Sequence, residues 1–310
     1  MDVPRPTRPT PARERRIPGP SGAERRRFQR ALLSWYRPRA RPLRLRATHD
    51  PWAILVAEVM SQQTQIARVD EAWVSFMARF PTPRALAEAS PAEVVRAWAG
   101  LGYNKRALAL QRAAGVIEAE HSGRVPAEIA ALEALPGVGP YTARAVASVA
   151  YGVAVAAVDT NVRRVLSRIS ALPLGAAALQ SMADQLVPHA EPGTWTHASI
   201  ELGATVCRVR SPLCDECPIS VWCASAGRVG QQVRRPAAMP PLRFEATTRW
   251  LRGRIVARLR DVRDGGWTTL PDTIGEHGAG AVDAMLDALE RDGLLERRSD
   301  GAVRLPSTST

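Results

Sequence analysis

A short glycine-containing turn between two helical segments most constrains how this chain can fold. It reads Leu135-Pro136-Gly137-Val138-Gly139-Pro140-Tyr141 and leads into the apolar helical run 140–151. A Leu-Pro stop, two glycines around one apolar residue and a second helix predict a helix-hairpin-helix unit. Glycine permits positive φ and lets backbone N–H groups approach an anion, while the second helix adds its positive dipole end. The turn is interpreted as a grip for a phosphate backbone, with an ordinary helical hairpin as the alternative.

The charge of the chain points to the same kind of partner. The formal net charge is +12, and residues 1–50 alone contain fourteen arginines against four acidic residues. Such a basic excess suits a polyanion, and nucleic acid is the commonest one in the cytosol. A solvated arginine-rich tail is the alternative. Lys105 is the only lysine in the sequence, so a mechanism that needs an amine nucleophile has almost nowhere to find one.

The length and hydropathy of the chain bound its organisation and location. A chain of 310 residues with 45% hydrophobic content can bury a full core and form about two domains. No uninterrupted apolar run reaches about 18 residues, so no membrane span is expected. The N-terminus shows no apolar signal core. We therefore expect a cytoplasmic protein with no membrane partner.

A helix that opens at Asp50-Pro51 carries the first candidate catalytic residue. Asp50 is predicted as the N-cap and Pro51 as the first helical residue. Glu58 lies near the middle of this helix among apolar neighbours. Desolvation should raise the pKa of its carboxyl, so that it can hold a proton near neutral pH and act as a general acid. The alternative is a glutamate at the one polar edge of the helix.

The chain then continues as helices that end at Pro or Gly, without any alternating strand pattern. Before Asp50 the sequence predicts a basic disordered tail over 1–24 and an amphipathic helix over 25–36. After it we predict helices over 68–80, 84–88, 91–99, 104–120, 126–134, 140–151, 161–170, 175–188 and 194–206. The fold class is therefore all-α. Within it, the turn Gly100–Arg106 can present Tyr103 to bases and Arg106 to phosphate, or simply connect two helices.

All four cysteines lie close together after these helices. Cys207, Cys214, Cys217 and Cys223 have the pattern C-x6-C-x2-C-x5-C. With no export signal, disulfides are not expected, and four thiolates at short spacing indicate a metal. Both zinc and a [4Fe–4S] cluster fit four sulfurs. In the loop between the first two cysteines, Arg208 and Arg210 can offer cations to phosphate, or can simply be solvated.

The last part of the chain is predicted as a separate small module. Residues 227–242 are rich in Pro and Arg and are interpreted as a linker. Residues 243–306 contain two apolar-periodic helices followed by a short hairpin around Ser299-Asp300-Gly301. This order is similar to that of a winged-helix module of α+β type. A marginal helical cap is the alternative.

Taken together, the hairpin, Asp159 one helix length downstream, Glu58 before Gln62-Gln63-Thr64 and the cysteine spacing resemble the helix-hairpin-helix DNA glycosylases of the endonuclease III superfamily. Within it they resemble most the MutY-type adenine glycosylases. The resemblance covers about residues 26–226 and implies a two-lobed all-α fold that binds double-stranded DNA with one nucleotide flipped out. It implies a six-helix barrel over 50–160 and a [4Fe–4S] cluster lobe formed by 25–49 and 161–226, with the four cysteines as ligands.

The resemblance also implies catalytic roles. Protonated Glu58 would donate to N7 of adenine, and Asp159 would stabilise the oxocarbenium-like sugar. Tyr141 would sit between them, and Asn161 would orient Asp159 or the water. Gln63 and Tyr103 match positions that wedge into the duplex, and Gly137, Val138 and Gly139 match the phosphate-binding hairpin.

The base pocket departs from the MutY pattern. Relatives usually carry Leu-Pro-Trp-Arg in the basic loop that walls the adenine; here Arg41, Leu43 and Arg46 match, but Leu45 replaces the tryptophan. His197 stands where many relatives have Glu or Gln, and Ser61 replaces the Leu before Gln-Gln-Thr. The large Nudix-like C-terminal domain of MutY enzymes has no counterpart of its size here. These differences leave open which base is removed.

The catalytic lysine of the bifunctional branch is also missing. The matching position beside the hairpin is Tyr141, so a monofunctional glycosylase without Schiff-base lyase activity is expected. The leading hypothesis is removal of adenine mispaired with 8-oxoguanine or guanine. A sister glycosylase for another base, such as thymine opposite guanine or a damaged purine, is the first alternative. A non-catalytic iron–sulfur DNA-binding protein is the second.

Overall fold

Capping residues set the helix boundaries that the sequence predicts. The computed structural model describes residues 20, 22–228 and 242–307. Asp50 accepts a hydrogen bond from the Trp52 N–H at 3.0 Å, and Ser90 and Glu93 form a complete capping box. Such caps satisfy N–H groups that a helix start leaves unpaired. Most of the predicted tail (1–24) and linker (227–242) lies outside the described residues.

The described residues are mostly helical, as predicted. The α-helices are α1 (Gly22–Tyr36), α2 (Pro51–Ser61), α3 (Ile66–Arg79), α4 (Pro83–Ala87), α5 (Pro91–Ala97), α6 (Lys105–His121), α7 (Ile129–Ala134), α8 (Pro140–Tyr151), α9 (Thr160–Ser170), α10 (Ala176–Leu186), α11 (Pro192–Thr205), α12 (Thr248–Asp261) and α13 (Ala279–Arg291). Strands β1 (Glu296–Arg297) and β2 (Val303–Arg304) pair antiparallel. No helix in the described ranges is both long and apolar enough to cross a membrane.

The first hydrophobic core is formed by α2 to α8. Trp98 and Phe76 are fully buried at its centre and meet edge to face, with ring centroids 5.6 Å apart. Helix α2 is apolar on nearly every face and packs against α8, with Leu55, Val56 and Met60 at 0% exposure. Full burial of such side chains contributes about 1.5–3 kcal/mol each. This packing brings the middle of α2 next to the start of α8.

The second core joins the N-terminal helix to α9, α10 and α11. Phe28 of α1 packs against Trp195 and Trp222, with ring centroids 5.8 and 5.6 Å away. The two cores meet where α11 crosses α8. There the Ser148 and Thr196 hydroxyls are 3.0 Å apart, and a Cβ on Gly193 would lie 3.1 Å from the Val149 Cα. The start of α9 is thereby held beside the start of α8.

The C-terminal residues pack a third core onto α5 and α6. Ala92, Val95 and Leu108 of the first helices share this core with α12, α13 and the strands. Polar contacts reinforce the junction, since Arg260 donates to the Val95 carbonyl at 2.9 Å and to Asn104 Oδ1 at 2.8 Å. The C-terminal module is therefore fixed against the helix pair that flanks the Tyr103 turn. The predicted domain boundaries stay predictions.

Candidate active site

The structure brings Glu58, Tyr141 and Asp159 together at the junction of α2, α8 and α9. Burial, partly offset by a hydrogen bond from Tyr141, raises the pKa of Glu58 to about 7, and the nearby Asp159 charge adds to the rise. Burial next to these two carboxyl groups also holds the pKa of the Tyr141 phenol well above its usual value. Tyr141 is thus a neutral donor between two carboxyl groups, and Glu58 can hold a proton near neutral pH.

Asp159 is the N-cap of α9, and each of its carboxylate oxygens accepts a hydrogen bond. Oδ1 accepts from the Val162 N–H at 2.7 Å, and Oδ2 accepts from Asn161 Nδ2 at 2.8 Å. The N-cap position places the carboxylate at the positive end of the helix dipole and fixes its direction. Asn161 therefore orients Asp159 in this structure.

A hydrogen-bonded chain that was not predicted from the sequence connects Asn161 to the cysteine segment. Arg164 donates to Asn161 Oδ1 at 2.9 Å and to the carbonyls of Cys207 and Gly203 at 2.8 and 2.6 Å. Gly203 has no room for a side chain, because a Cβ there would lie 2.6 Å from the Asn161 Cβ. A glycine inside a helical pattern often marks such close packing, so Gly203 was the sequence feature from which this contact could have been predicted.

Arg41 and Arg46 of the basic loop converge on a carboxylate that the sequence patterns did not single out. Glu201 of α11 is 2% exposed and accepts from Arg41 Nε and Nη2 at 2.7 and 2.9 Å and from Arg46 Nη2 at 3.0 Å. Burial opposes its ionisation, but the hydrogen bonds and charges of the two arginines outweigh burial and lower its pKa. The loop is thereby tied to α11, and removing one partner would leave a buried charge unpaired.

The remaining predicted base-pocket residues lie around this ion pair. His197 stands one helical turn before Glu201, and burial together with the Arg46 charge lowers its pKa to about 4. The imidazole is therefore neutral at physiological pH. Leu45 packs on the first core, while Leu43 is half-buried in the loop. Arg46 contacts α1 as well as α11, because it also donates to the Tyr36 hydroxyl at 3.2 Å.

The glycine turn differs from expectation in two details. Gly137 does need glycine, since its φ is +80° and an added Cβ would lie only 2.8 Å from the Ala109 Cβ, but Gly139 is extended with φ of −96°. Val138 is 6% exposed, and its N–H donates to the Leu135 carbonyl at 3.1 Å. Its side chain therefore belongs to the core. The groups left to face an anion are the Gly139 backbone and the N–H groups in the first turn of α8.

The two predicted wedge residues have an unusual backbone conformation. Gln63 has φ of 55° and Tyr103 has φ of 46°, although neither is glycine. Gln63 is exposed, and 41% of Tyr103 is exposed. Left-handed conformations cost a non-glycine residue roughly 1–3 kcal/mol and are often found at functional sites. Gln63 follows the C-terminal end of α2, and Tyr103 lies in the turn between α5 and α6. The two turns are in contact, because the Thr64 hydroxyl donates to the Leu101 carbonyl at 3.4 Å.

The predicted phosphate contact of Arg106 is wrong. Its two terminal nitrogens are used inside the protein, on acceptors from both wedge-carrying turns. These acceptors are the carbonyls of Val59, Met60, Gln62, Leu101 and Gly102 and the Thr64 hydroxyl, at 2.5–3.2 Å. The terminal donors are thus engaged, and the Nε–H is buried without a partner in the described residues, so the guanidinium has no accessible donor to offer to DNA. Arg106 instead clamps together the turns that carry Gln63 and Tyr103.

The four cysteines line one small cavity together with Arg168. Arg168 donates to Cys207 Sγ at 3.2 Å, and its own carbonyl accepts from Cys223 Sγ at 3.4 Å. In the described part of the chain, no group of three or more His, Cys, Asp or Glu side chains is spaced to hold a single metal ion. Arg208 is exposed in the loop after Cys207, where its Nη2 donates to the Ser211 carbonyl at 3.2 Å.

This arrangement suits acid-assisted cleavage of a bond between a base and a sugar. Such a reaction needs one group that donates a proton to the departing base and one anion that stabilises positive charge on the sugar. Glu58 and Asp159 satisfy these needs by environment, since desolvation raises the pKa of Glu58 and two N–H donors hold the carboxylate of Asp159. Two large open grooves are lined by residues of the C-terminal module together with the turn before α6 or with α4 to α6.

Comparison with known sequences agrees with this chemistry. Residues 56–188 match the HhH-GPD superfamily of base excision DNA repair proteins. An adenine DNA glycosylase of Mycolicibacterium smegmatis is 41% identical over 281 residues, covering 88% of this chain and 94% of the relative. The adenine DNA glycosylase of Homo sapiens is 43% identical over 225 residues, covering 68% of this chain and 41% of the human protein.

Solved structures show the same helical fold. A thermostable thymine-DNA glycosylase superposes with a TM-score of 0.63 at 29% identity, covering 66% of this chain and 96% of that chain. A trapped endonuclease III–DNA covalent intermediate superposes with a TM-score of 0.57 at 26% identity, covering 66% and 97%. The first of these structures is an enzyme named for thymine, whereas the relatives above are named for adenine. The fold alone therefore does not determine which base is removed.

Replacing Gly203 with alanine should impair the candidate active site indirectly, through the packing of Gly203 against Asn161. The new Cβ would push α11 away from Asn161, which we expect to lower the free energy of unfolding by about 1–3 kcal/mol and to slow base release. Urea unfolding and single-turnover kinetics measure the two effects. Gly280→Ala is the matched control, because a Cβ there meets nothing within 4 Å. Equal stability and rate for both variants would contradict the proposed packing role.

Proposed function

The chain belongs to the adenine DNA glycosylases of the HhH-GPD superfamily of base excision DNA repair proteins, and we propose that it removes adenine mispaired with 8-oxoguanine or guanine in double-stranded DNA. The observation that carries this proposal is the trio of Glu58, Tyr141 and Asp159. A proton holder and a fixed anion in one site are what hydrolysis of an N-glycosidic bond requires. The long match to adenine DNA glycosylases supports adenine as the base.

In the proposed reaction, Glu58 acts first as a general acid. Its raised pKa keeps a proton available for N7 of the flipped adenine, which makes the base a better leaving group. As the bond to the sugar breaks, positive charge develops on the sugar. Asp159, held by Asn161 and the α9 backbone, stabilises that charge. The Glu58 carboxylate can then take a proton from the water that completes hydrolysis.

The base pocket is proposed to lie between the basic loop and α11. Arg41 and Arg46 hold the loop in place through Glu201, and Leu43 and Leu45 offer apolar surface to one face of the base. An apolar leucine covers a base with weaker stacking than an aromatic ring would provide. His197 supplies a neutral imidazole at the pocket edge, which can hydrogen bond to a base without adding charge.

The proposal extends to the DNA grip and to the absence of lyase activity. The first turn of α8 with Gly137 and Gly139 would bind backbone phosphate, with Gln63 and Tyr103 inserted into the duplex. Arg208 would add a cation from the cysteine loop. Tyr141 occupies the position at which bifunctional relatives of this superfamily use lysine. We therefore infer a monofunctional enzyme that leaves an abasic site.

The cysteine group is proposed to hold a [4Fe–4S] cluster. Four sulfurs suit either a zinc ion or such a cluster, and the similarity to adenine DNA glycosylases and to endonuclease III favours the cluster. Four thiols around one cavity suit the larger cluster, with Cys207, Cys214, Cys217 and Cys223 as ligands. When bound, the cluster would tie the cysteine loop together and support DNA binding. Arg168 would donate to the Cys207 sulfur.

The broader organisation of the protein is proposed on the same basis. We propose a cluster lobe from 25–49 and 161–226, a six-helix barrel over 50–160 and a winged-helix-like module over 243–306. The order helix, helix, hairpin in α12, α13 and β1–β2 supports the last assignment. The protein is proposed to be a monomer and to work at the bacterial nucleoid in the cytoplasm, where its DNA substrate lies.

The pH dependence of base release tests the role of Glu58. A carboxyl with a pKa of about 7 is protonated below that pH and loses its proton above it. The single-turnover rate should therefore fall about tenfold per pH unit above about 7, and Glu58→Gln should lower the rate about 10²–10⁴-fold. Glu133→Gln, on the surface of α7, is the matched control. A flat profile between pH 6 and 9 would exclude Glu58 as the acid.

A panel of defined mispairs tests the choice of base. Duplexes with adenine opposite 8-oxoguanine or guanine, and with thymine opposite guanine, would be incubated with protein and cleaved at abasic sites by alkali. We expect strand breaks only at adenine, because the residues of the site resemble those of adenine glycosylases. Asp159→Asn gives the background. Breaks at thymine without any at adenine would overturn the proposed substrate.

Trapping with borohydride tests the absence of lyase activity. Lys105 is tied to Asp292 by a 2.5 Å ion pair beside the C-terminal module, and the active site offers Tyr141 instead of an amine. We therefore expect no covalent complex when abasic DNA, protein and borohydride are mixed. Efficient trapping that disappears in Lys105→Arg would show that Lys105 forms a Schiff base and that the monofunctional assignment is wrong.

A further inference from the structure

We propose that the C-terminal module binds the phosphate backbone of the DNA duplex through an arginine-lined groove beside Tyr103. This inference rests on the proposed function, because it assumes that the Tyr103 turn meets DNA. The groove lies between that turn and α12. Its lining residues are Gly102, Tyr103, Asn104, Phe244, Thr248, Arg249, Trp250, Arg252, Gly253, Arg254, Met285 and Ala288.

The charge of the groove is the first argument. Three of its lining residues are arginines and none is acidic. A second large groove that the module helps to line is balanced, with Arg112, Arg297, Glu290 and Glu296 in its lining. A groove lined by one sign of charge favours a polyanion, whereas a balanced one does not. The groove beside Tyr103 therefore suits a polyanion better than the balanced groove does.

The second argument is that two of the three groove arginines have no acidic partner within the described residues. Arg252 is paired with Asp292 at 2.5 Å, a carboxylate that it shares with Lys105. Arg249 and Arg254 form no ion pair within the described residues and are exposed. Their guanidinium groups rest on the rings of Tyr103 and Trp250, 4.7 and 5.8 Å from the centroids. Ring stacking orients a guanidinium while leaving its edge N–H donors free, and those donors match phosphate oxygens.

The position of the groove is the third argument. Arg249 lies over the same Tyr103 ring that is expected to insert next to the extruded nucleotide. The module cannot drift from this position easily, because Arg260 of α12 is anchored on Val95 and Asn104 and the Ala92 N–H donates to the Pro306 carbonyl at 2.9 Å. DNA that reaches Tyr103 must therefore pass the start of α12. The groove continues the DNA-binding face rather than forming a separate one.

Gly253 allows a test that leaves the fold intact. It is exposed in α12, and a Cβ at this position meets nothing within 4 Å. Gly253→Glu places a negative charge in the groove without a clash. Gly280→Glu makes the same change in α13 of the same module, where space is also open and the residue lies outside the groove. Arg249→Gln and Arg254→Gln remove one cation each, with Arg112→Gln of the balanced groove as their control.

Binding would be measured by fluorescence anisotropy at 50–200 mM salt, with a duplex that carries a 2′-fluorinated deoxyadenosine opposite 8-oxoguanine, which resists excision. Each groove arginine that contacts phosphate contributes about 0.9 to the slope of log affinity against log salt. Arg249→Gln and Arg254→Gln should therefore each lower the slope by about that amount and weaken binding about five- to tenfold near 0.1 M salt. Gly253→Glu should weaken binding about tenfold, while the Gly280 and Arg112 controls should match the unmodified protein.

The inference is overturned if the groove variants show the same affinity and salt slope as their controls. Thermal unfolding of each variant confirms that the fold is kept. Release of adenine by the unmodified protein is scored in parallel on a cleavable duplex. The salt slopes decide whether the groove binds DNA, and base release decides the proposed reaction, so the two can fail independently.

Discussion

The site depends on one packing arrangement, the contact between the apolar helix α2 and the start of α8. Glu58 is half-buried on a helix whose other residues are nearly all buried, and desolvation of its carboxyl is the main cause of its raised pKa. Tyr141, at the start of α8, donates the hydrogen bond that this carboxyl accepts. A glutamate on an exposed helix would lose its proton near pH 4. Burial thus lets Glu58 keep a proton near neutral pH.

Around this dry centre the protein fixes its anions with nitrogen donors. Asp159 accepts two N–H bonds, and Glu201 accepts three from Arg41 and Arg46. Each anchored carboxylate joins parts of the chain that lie far apart in sequence. Through Glu201 the basic loop is tied to α11, and through Asn161 and Arg164 the α9 cap is tied to the cysteine segment. Displacement of the cysteine segment would therefore be transmitted to Asp159.

Local features were predictable from the sequence, and long-range pairings were not. Helix starts follow from caps such as Asp50 and Ser90, because a cap acts within three residues of itself. Glu58 was identifiable because its apolar neighbours are adjacent in the sequence. Glu201 was not, since its partners lie about 155 residues away. Arg106 was misassigned because a cation after an aromatic turn gives the same local pattern whether its guanidinium turns toward solvent or toward carbonyls.

Because the chain has only one lysine, its DNA binding and its base release should respond differently to pH. Guanidinium groups keep their charge throughout the range in which cells live, whereas an ammonium group or an imidazole can lose it. Attachment to the polyanion through Arg208, Arg249 and Arg254 would thus stay constant while Glu58 deprotonates. In a mildly alkaline compartment the protein would stay bound to the duplex without releasing the base. It would cover the mispair and keep other proteins away until Glu58 was protonated again.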